Sequence, residues 1–320
     1  MRRRRLSSLL VLAAIVVLVL VVALVIDHSS GRPDAPTAHT VPTTAQPTAT
    51  RPRPAPKVHQ LAVHHLVGTL NPTSCIFYPP THGDRHRTVF LDPGHGGNDP
   101  GTEGQDSRGV TVHEKVPTLA VAKRAAVELR ARGFAVVMSR TADATVMHMT
   151  PRDLSGKLMT PAAVHNDIVD RVACANTAHA AALVSIHFNS FTDPTVGGAD
   201  TNYDTSRPFG ARNRQLARLV QHDILHGFHS AGWAVPNRGI RNQYQDNAAA
   251  LTAQGNAYGH LFVLGPRKTG WNLHPSKMPG VLIEPLFLSR PTEADVAESA
   301  HGQQVIATAI TDALTTFLSR

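Results

Sequence analysis

Val89-Phe-Leu-Asp-Pro-Gly-His95-Gly-Gly-Asn-Asp-Pro-Gly101 runs three apolar residues straight into a turn rich in Gly and Pro. Val-Phe-Leu reads as a short buried strand, which Pro93-Gly94 ends. The glycines leave space around His95 and let the backbone approach a ligand closely. In an open α/β sheet, ligands bind outside the carboxyl ends of the strands, and His95 stands at such an end. The plainer reading is a surface turn that holds one of the 19 histidines. The rest of the chain has to separate the two.

Two more apolar runs end in the same way. Ala182-Leu-Val-Ser-Ile186 leads into His187-Phe-Asn189, and Val281-Leu-Ile leads into Glu284. Phe134–Met138 reads as a further buried strand, Gly197–Tyr203 as an edge strand and His260–Leu264 as another strand. Helices fall between them. Leu119, Ala122, Ala126 and Leu129 form one apolar stripe on a helix ending near Arg132, with Gly133 as its stop. Helices are also expected over Asn166–His179, Phe209–Phe228 and Thr292–Leu318. Thr292-Glu-Ala-Asp295 resembles a capping box at the start of the last one. Residues 141–165 and 229–256 carry no clear period. Strands that alternate with helices predict an α/β fold: a single open, mostly parallel twisted sheet with helices on both faces.

The amino-terminal end differs in composition. Arg2–Arg5 precede Leu9–Ile26, an unbroken apolar run of 18 residues, enough for a membrane span. The arginines would stay in the cytoplasm and the rest would be exported. The run is longer than a signal-peptide core and lacks an Ala-x-Ala site, so an uncleaved anchor is expected over a cleaved signal. The expected organisation is an Arg cluster and signal-anchor helix at 1–28, and a Pro/Thr-rich extended linker at 29–57. An extension at 58–86 that packs on the domain, and a catalytic domain at 87–320, follow. Cys75 and Cys174 both lie in the exported part, where an even count permits a disulfide.

The formal net charge of +8 is concentrated at that end. Residues 1–57 hold eight of the 31 Lys/Arg against two acids, which leaves 23 positive and 21 negative charges beyond. A nearly neutral body has no basic stripe, so nucleic acid is not an expected partner.

His95, His187 and Glu284 each follow a strand at its carboxyl end, so one sheet edge can gather all three. Glu114, just ahead of a helix that follows the first strand, can reach the same edge. By itself Glu114 also reads as a first-turn acid that complements the helix dipole. Two histidines and a carboxylate make a catalytic zinc set with a fourth position for water. A further carboxylate off the metal would take that water's proton. A charge inside Val-Leu-Ile-Glu284-Pro-Leu-Phe-Leu is costly unless it is paired or functional.

The motifs that flank these residues carry a resemblance. They are the Val89–Gly101 stretch, Glu114-Lys115, Arg140-Thr141, Arg171-Val-Ala-Cys-Ala-Asn176, Val-Ser-Ile-His187-Phe-Asn-Ser190, Asn237-Arg-Gly239 and Met278-Pro-Gly-Val-Leu-Ile-Glu284-Pro-Leu-Phe-Leu-Ser289. In this order, over about residues 87–318, the chain resembles the zinc-dependent N-acetylmuramoyl-L-alanine amidases of type 3, the cell-wall amidases. The resemblance implies a hydrolase that cuts the amide between N-acetylmuramic acid and the L-alanine of the stem peptide. It implies one Zn2+ held by His95, Glu114 and His187, with Glu284 as the catalytic carboxylate. Asn189 and Arg171 are carried over as substrate-binding residues. Peptidoglycan is the expected partner, the cytoplasmic membrane would hold the N-terminal helix, and a monomer is expected. The alternatives are a tethered, non-catalytic peptidoglycan-binding or regulatory protein, and a zinc carboxypeptidase acting on stem peptides. Residues 144–166 and 241–272 depart from the family pattern as insertions that would shape or cover the groove.

Overall fold

Val89–Leu91, Val136–Met138, Leu183–Val184 and Val281–Ile283 show no polar alternation, the pattern of strands buried on both faces. In the computed structural model they form the centre of an eight-stranded sheet. The structure describes residues 57–243 and 252–319. The expected anchor at 1–28, and all of the expected linker except Lys57, lie outside those residues. Among the described residues no helix is long and apolar enough to cross a membrane.

The first half of the chain gives β1 (His59–Gln60), β2 (Ser74–Tyr78), β3 (Thr88–Pro93), the hairpin β4 (Glu103–Gln105) and β5 (Thr111–His113), and α1 (Lys115–Ala131). Then come β6 (Ala135–Arg140), the small hairpin β7 (Leu154–Ser155) and β8 (Leu158–Met159), and α2 (Pro161–Thr177). The second half gives β9 (Ala182–Ile186), β10 (Ala199–Tyr203), α3 (Gly210–Ser230) and β11 (Asn237–Asn242). It closes with α4 (Ala253–Tyr258), β12 (Gly280–Glu284), α5 (Pro291–Glu298) and α6 (Ala300–Leu318). The sheet order is β1-β2-β6-β3-β9-β12-β10-β11. Strands β6, β3, β9 and β12 run parallel, while β2 and β10 pair antiparallel on either side of them.

The strand repeat of two divides the core into two layers. Val89, Leu91, Val136, Val184, Val281 and Ile283 point to one face, where they meet the buried sides of α1, α3 and α6. Phe90, Val137, Leu183 and Leu282 point to the other, against Val172 and Ala175 of α2. Cys75 of β2 and Cys174 of α2 are joined by a disulfide with a Cα–Cα distance of 5.8 Å. It closes a loop of sequence separation 99, for which chain entropy alone gives roughly 5 kcal/mol.

Several elements differ from the sequence reading. The extension at 58–86 does more than pack on the domain, because it supplies β1 and β2 of the sheet. Residues 260–264 are not a strand. Leu261 O accepts from the backbone N–H groups of Leu264 and Gly265, and the apolar run is buried against the α2 layer without pairing. β11 lies inside the stretch read as a loop. α2 starts at Pro161, five residues early, because Thr160 caps it by accepting from Ala163 N and Pro suits a first turn. Thr292–Asp295 is not a capping box. Pro291 starts that helix with Arg290 at the cap, and Asp295 accepts from Ser107 N and Oγ instead. The long last helix is in fact two, since Ser299 is extended and caps α6 by accepting from Gly302 N.

Candidate metal centre

Three chain segments deliver three side chains to one point at the carboxyl edge of the sheet. His95 follows β3, His187 follows β9, and Glu114 immediately precedes α1. His95 Nε2 lies 3.0 Å from Glu114 Oε2, and His187 Nδ1 lies 3.0 Å from Glu114 Oε1. The two ring nitrogens are 3.1 Å apart. Glu114 does not act as a helix cap. Its carboxylate accepts from Thr102 N at 2.8 Å and Phe188 N at 2.9 Å, which aims its remaining lone pairs at the histidines. Glu114 is nearly buried, and the histidines keep about a fifth of their side-chain surface open.

This donor set fits a zinc ion. The three residues offer ligand atoms that all lie within 4.8 Å of one another. Zinc bonds of 2.0–2.1 Å in a tetrahedron set neighbouring ligands ~3.3 Å apart, close to the separations here. Two imidazole nitrogens and a carboxylate at such range share too few protons to satisfy every lone pair, and a cation satisfies all of them. The electrostatics agree. Burial favours the neutral His95 ring, but Glu114 and Asp99 raise its pKa to about 10. Burial likewise opposes ionisation of Glu114, yet His95 and His187 hold it well below the usual carboxylate range. The pocket is therefore built around a carboxylate with positive charge in front of it.

The backbone supports this placement. A Cβ on Gly94 would stand 2.4 Å from the His187 ring, and one on Gly101 (φ +72°) would stand 2.6 Å from Glu114 Oε2. His95 itself has φ +60°, a strained conformation that costs of order 1–3 kcal/mol and persists only where its surroundings fix it. Those surroundings are two buried arginines. Arg140 donates to Pro93 O, Gly94 O and Lys115 O. Arg171 donates to Pro93 O and His95 O and pairs with Asp92 and Asp167 at 2.8 Å each. Arg171 was expected to bind substrate. Its guanidinium bonds the chain, where it fixes the loop that carries His95, and Arg171 also lines the cavity beside the histidines.

Glu284 ends β12 at the same edge. Its Oε2 is buried with no hydrogen-bond partner among the described residues. Burial first, then the charges of Glu114 and Asp200, raise its pKa well above the ordinary value. Asp200 lies directly across the β10–β12 ladder from it. Asn189, the other residue carried over as a substrate contact, accepts from Ser190 N and lies near enough to Asp200 to lower its pKa.

Sequence reasoning missed Asp99 and Asp200. Asp99 Oδ2 lies 2.9 Å from His95 Nδ1, the outer contact that orients a metal-binding histidine. Its signal was only its place four residues after His95. Asp200 sits in Ala-Asp-Thr-Asn-Tyr, a strand that is buried at every position. A charged residue in such a strand was the available clue. Beside the histidines opens a cavity of about 150 Å³, walled by Asp99, Ile168, Leu261 and Phe262 among others. Leu261 and Phe262 belong to the segment 241–272. The segment 144–166 reaches the His95 loop, where Asn98 Nδ2 donates to Lys157 O.

Residues 89–316 match the family profile of the N-acetylmuramoyl-L-alanine amidases. The amidase LytC of Bacillus subtilis is 27% identical over 225 residues, which cover 70% of this chain and 34% of LytC. The germination-specific N-acetylmuramoyl-L-alanine amidase of the same organism is 27% identical over 226 residues, 70% of this chain and 76% of that protein. The crystal structure of an N-acetylmuramoyl-L-alanine amidase from Clostridium difficile 630 superposes with a TM-score of 0.51 at 28% identity, covering 73% of this chain and 97% of that one. The chain thus spans about a third of LytC and nearly all of the clostridial domain.

Proposed function

The chain belongs to the N-acetylmuramoyl-L-alanine amidase family, and from that premise we propose that it is a zinc-dependent peptidoglycan hydrolase. Its target is the amide between the lactyl group of N-acetylmuramic acid and the L-alanine of the stem peptide. The observation that carries this reading is the convergence of His95, Glu114 and His187 beside an unpartnered buried carboxyl, Glu284. A tethered binding role would not require that fourth group.

His95 Nε2, His187 Nδ1 and a Glu114 oxygen would hold the Zn2+. When bound, zinc acidifies a water toward neutral pH and polarises the amide carbonyl. Glu284 accepts a proton from the water as its oxygen attacks the amide carbon. The same carboxyl then gives that proton to the departing alanine nitrogen as the C–N bond breaks. The products are a lactyl carboxylate and a free L-alanine amine. Burial raises the pKa of Glu284, which favours the protonated form that the carboxyl needs when it returns the proton to the leaving nitrogen. Asp99 orients His95, while Arg140 and Arg171 keep the loop between them rigid. Leu261 and Phe262 exclude water from one side.

Two variants separate the roles. Glu284→Gln should keep stoichiometric zinc and lose ~10²–10⁴-fold in turnover. His187→Ala should lose the ion of this centre. An active Glu284→Gln enzyme, or a His187→Ala protein with full zinc, contradicts the assignment.

The apolar run Leu9–Ile26 and the preceding arginines support an exported enzyme held at the outer face of the cytoplasmic membrane. Alkaline carbonate washing of membranes tests this: the full chain should stay in the pellet, and its release into the wash contradicts anchoring.

A further inference from the structure

α3 turns Leu216, Val220, Ile224 and Phe228 into the core. The stretch His222-Asp-Ile-Leu-His226-Gly-Phe-His229 therefore presents its three histidines to solvent, and all three are exposed. Spacings of four and three place them on one helix face. They line a common open groove of about 480 Å³ with Gln221 and Asn237. The His222 and His226 rings lie within 7° of parallel, with centroids 6.2 Å apart.

One ring already has the support that a ligand needs. His222 Nδ1 lies 2.8 Å from Asp223 Oδ1. A carboxylate that takes the Nδ1 proton fixes the tautomer and leaves the Nε2 lone pair facing outward, as in histidines that bind metal. His226 has no hydrogen-bond partner among the described residues, so binding a cation breaks no contact there. Neither His222, His226 nor His229 takes part in the His95–Glu114–His187 cluster.

We propose that this face of α3 is a second metal site. His222 Nε2 and His226 chelate a divalent transition ion one helical turn apart, and His229 supplies a third nitrogen from the next turn. An all-imidazole set selects Zn2+, Cu2+ or Ni2+ over Mg2+ and Ca2+, which prefer oxygen. Exposed side chains change rotamer in picoseconds to nanoseconds, so the rings are free to turn toward an ion. The ion would be held on the helix layer of α1, α3 and α6, where it leaves the chemistry of the sheet edge untouched.

The test is the zinc content of the metal-free full chain after equilibrium dialysis at buffered free Zn2+. The wild type should take up two equivalents. His187→Ala should keep one. The pair His222→Gln with His226→Gln should also keep one, with peptidoglycan hydrolysis and circular dichroism unchanged. His226→Gln alone should weaken the second equivalent at least about tenfold, since even outer-shell losses cost 10–100-fold. With Cu2+ on the His187→Ala chain, electron paramagnetic resonance should report coordinated nitrogens that vanish when His222→Gln and His226→Gln are combined. A second equivalent that survives loss of both helix histidines overturns the proposal. So does a wild type with one equivalent that disappears in His187→Ala. Because the site is scored on the helix variants alone, a failure of the catalytic zinc reading registers separately.

Discussion

Asp99 decides how well the centre is preorganised. Its carboxylate sits 2.9 Å from His95 Nδ1 and accepts from Gly101 N at 3.1 Å, so it couples the ligand to the glycine turn behind it. His95 has a left-handed backbone and depends on such fixings for its ring orientation. Asp99→Ala should weaken zinc affinity by ~10–100-fold, the cost of an outer-shell partner, while the fold persists. A competition titration with a chromophoric chelator measures this, and an unchanged affinity would remove Asp99 from the centre. At this scale the sequence is informative where a polar residue follows an apolar run. His95, His187 and Glu284 stand out because nothing in a buried strand end favours them except chemistry. Glu114 is ambiguous by itself, since an acid ahead of a helix also fits the helix dipole. Only its bonds to Thr102 N and Phe188 N show where its carboxylate points. Arg171 shows the opposite limit. Its place in a motif says that it matters, but not that its guanidinium bonds Asp92, Asp167 and the His95 carbonyl.

Among the elements, α2 carries most of the load beneath the site. It is tied to β2 by the disulfide, to the His95 loop by Arg171, and to the 58–86 extension by Asp170. Asp170 is fully buried and accepts from Val67 N at 2.7 Å. Burial raises its pKa to about 6, against the pull of the Val67 and Gly68 N–H groups. The folded chain thus binds this proton more tightly than the unfolded one. The resulting stabilisation is complete below the unfolded value of about 3.8 and is lost as pH rises through about 6. Urea midpoints should therefore show the wild type losing stability relative to Asp170→Asn as pH rises across that window. A constant difference would contradict the burial argument. The central strands were legible because an apolar run of four or five residues has few other uses. β2 and the 260–264 turn were not. Ser74–Tyr78 becomes a strand through pairing with β6, and Leu261–Leu264 stays unpaired because α2 offers it an apolar surface. Both outcomes depend on partners 58 or more residues away along the chain.

For the whole molecule, the parallel core explains why residues so far apart in sequence meet. β3, β9 and β12 are neighbours in the sheet, so the residues that follow them share one edge, and α1 brings Glu114 back to it. That topology is what alternating strands and helices predict, which is why fold class and site could be read together. The antiparallel flanks β2 and β10 were less visible, because their direction follows from connections rather than composition. Val164 and Leu261–Val263, from the segments 144–166 and 241–272, line part of the cavity, and the sequence marks those segments but not where they pack. The central claim concerns one bond, and product analysis addresses it directly. Purified peptidoglycan is incubated with the full chain, with and without a zinc chelator, and the fragments are identified by mass spectrometry. The account predicts intact stem peptides that begin with a free L-alanine amine, absent with chelator and restored by added zinc. Peptides shortened at the carboxyl end, or glycan fragments with the stems still attached, would contradict it.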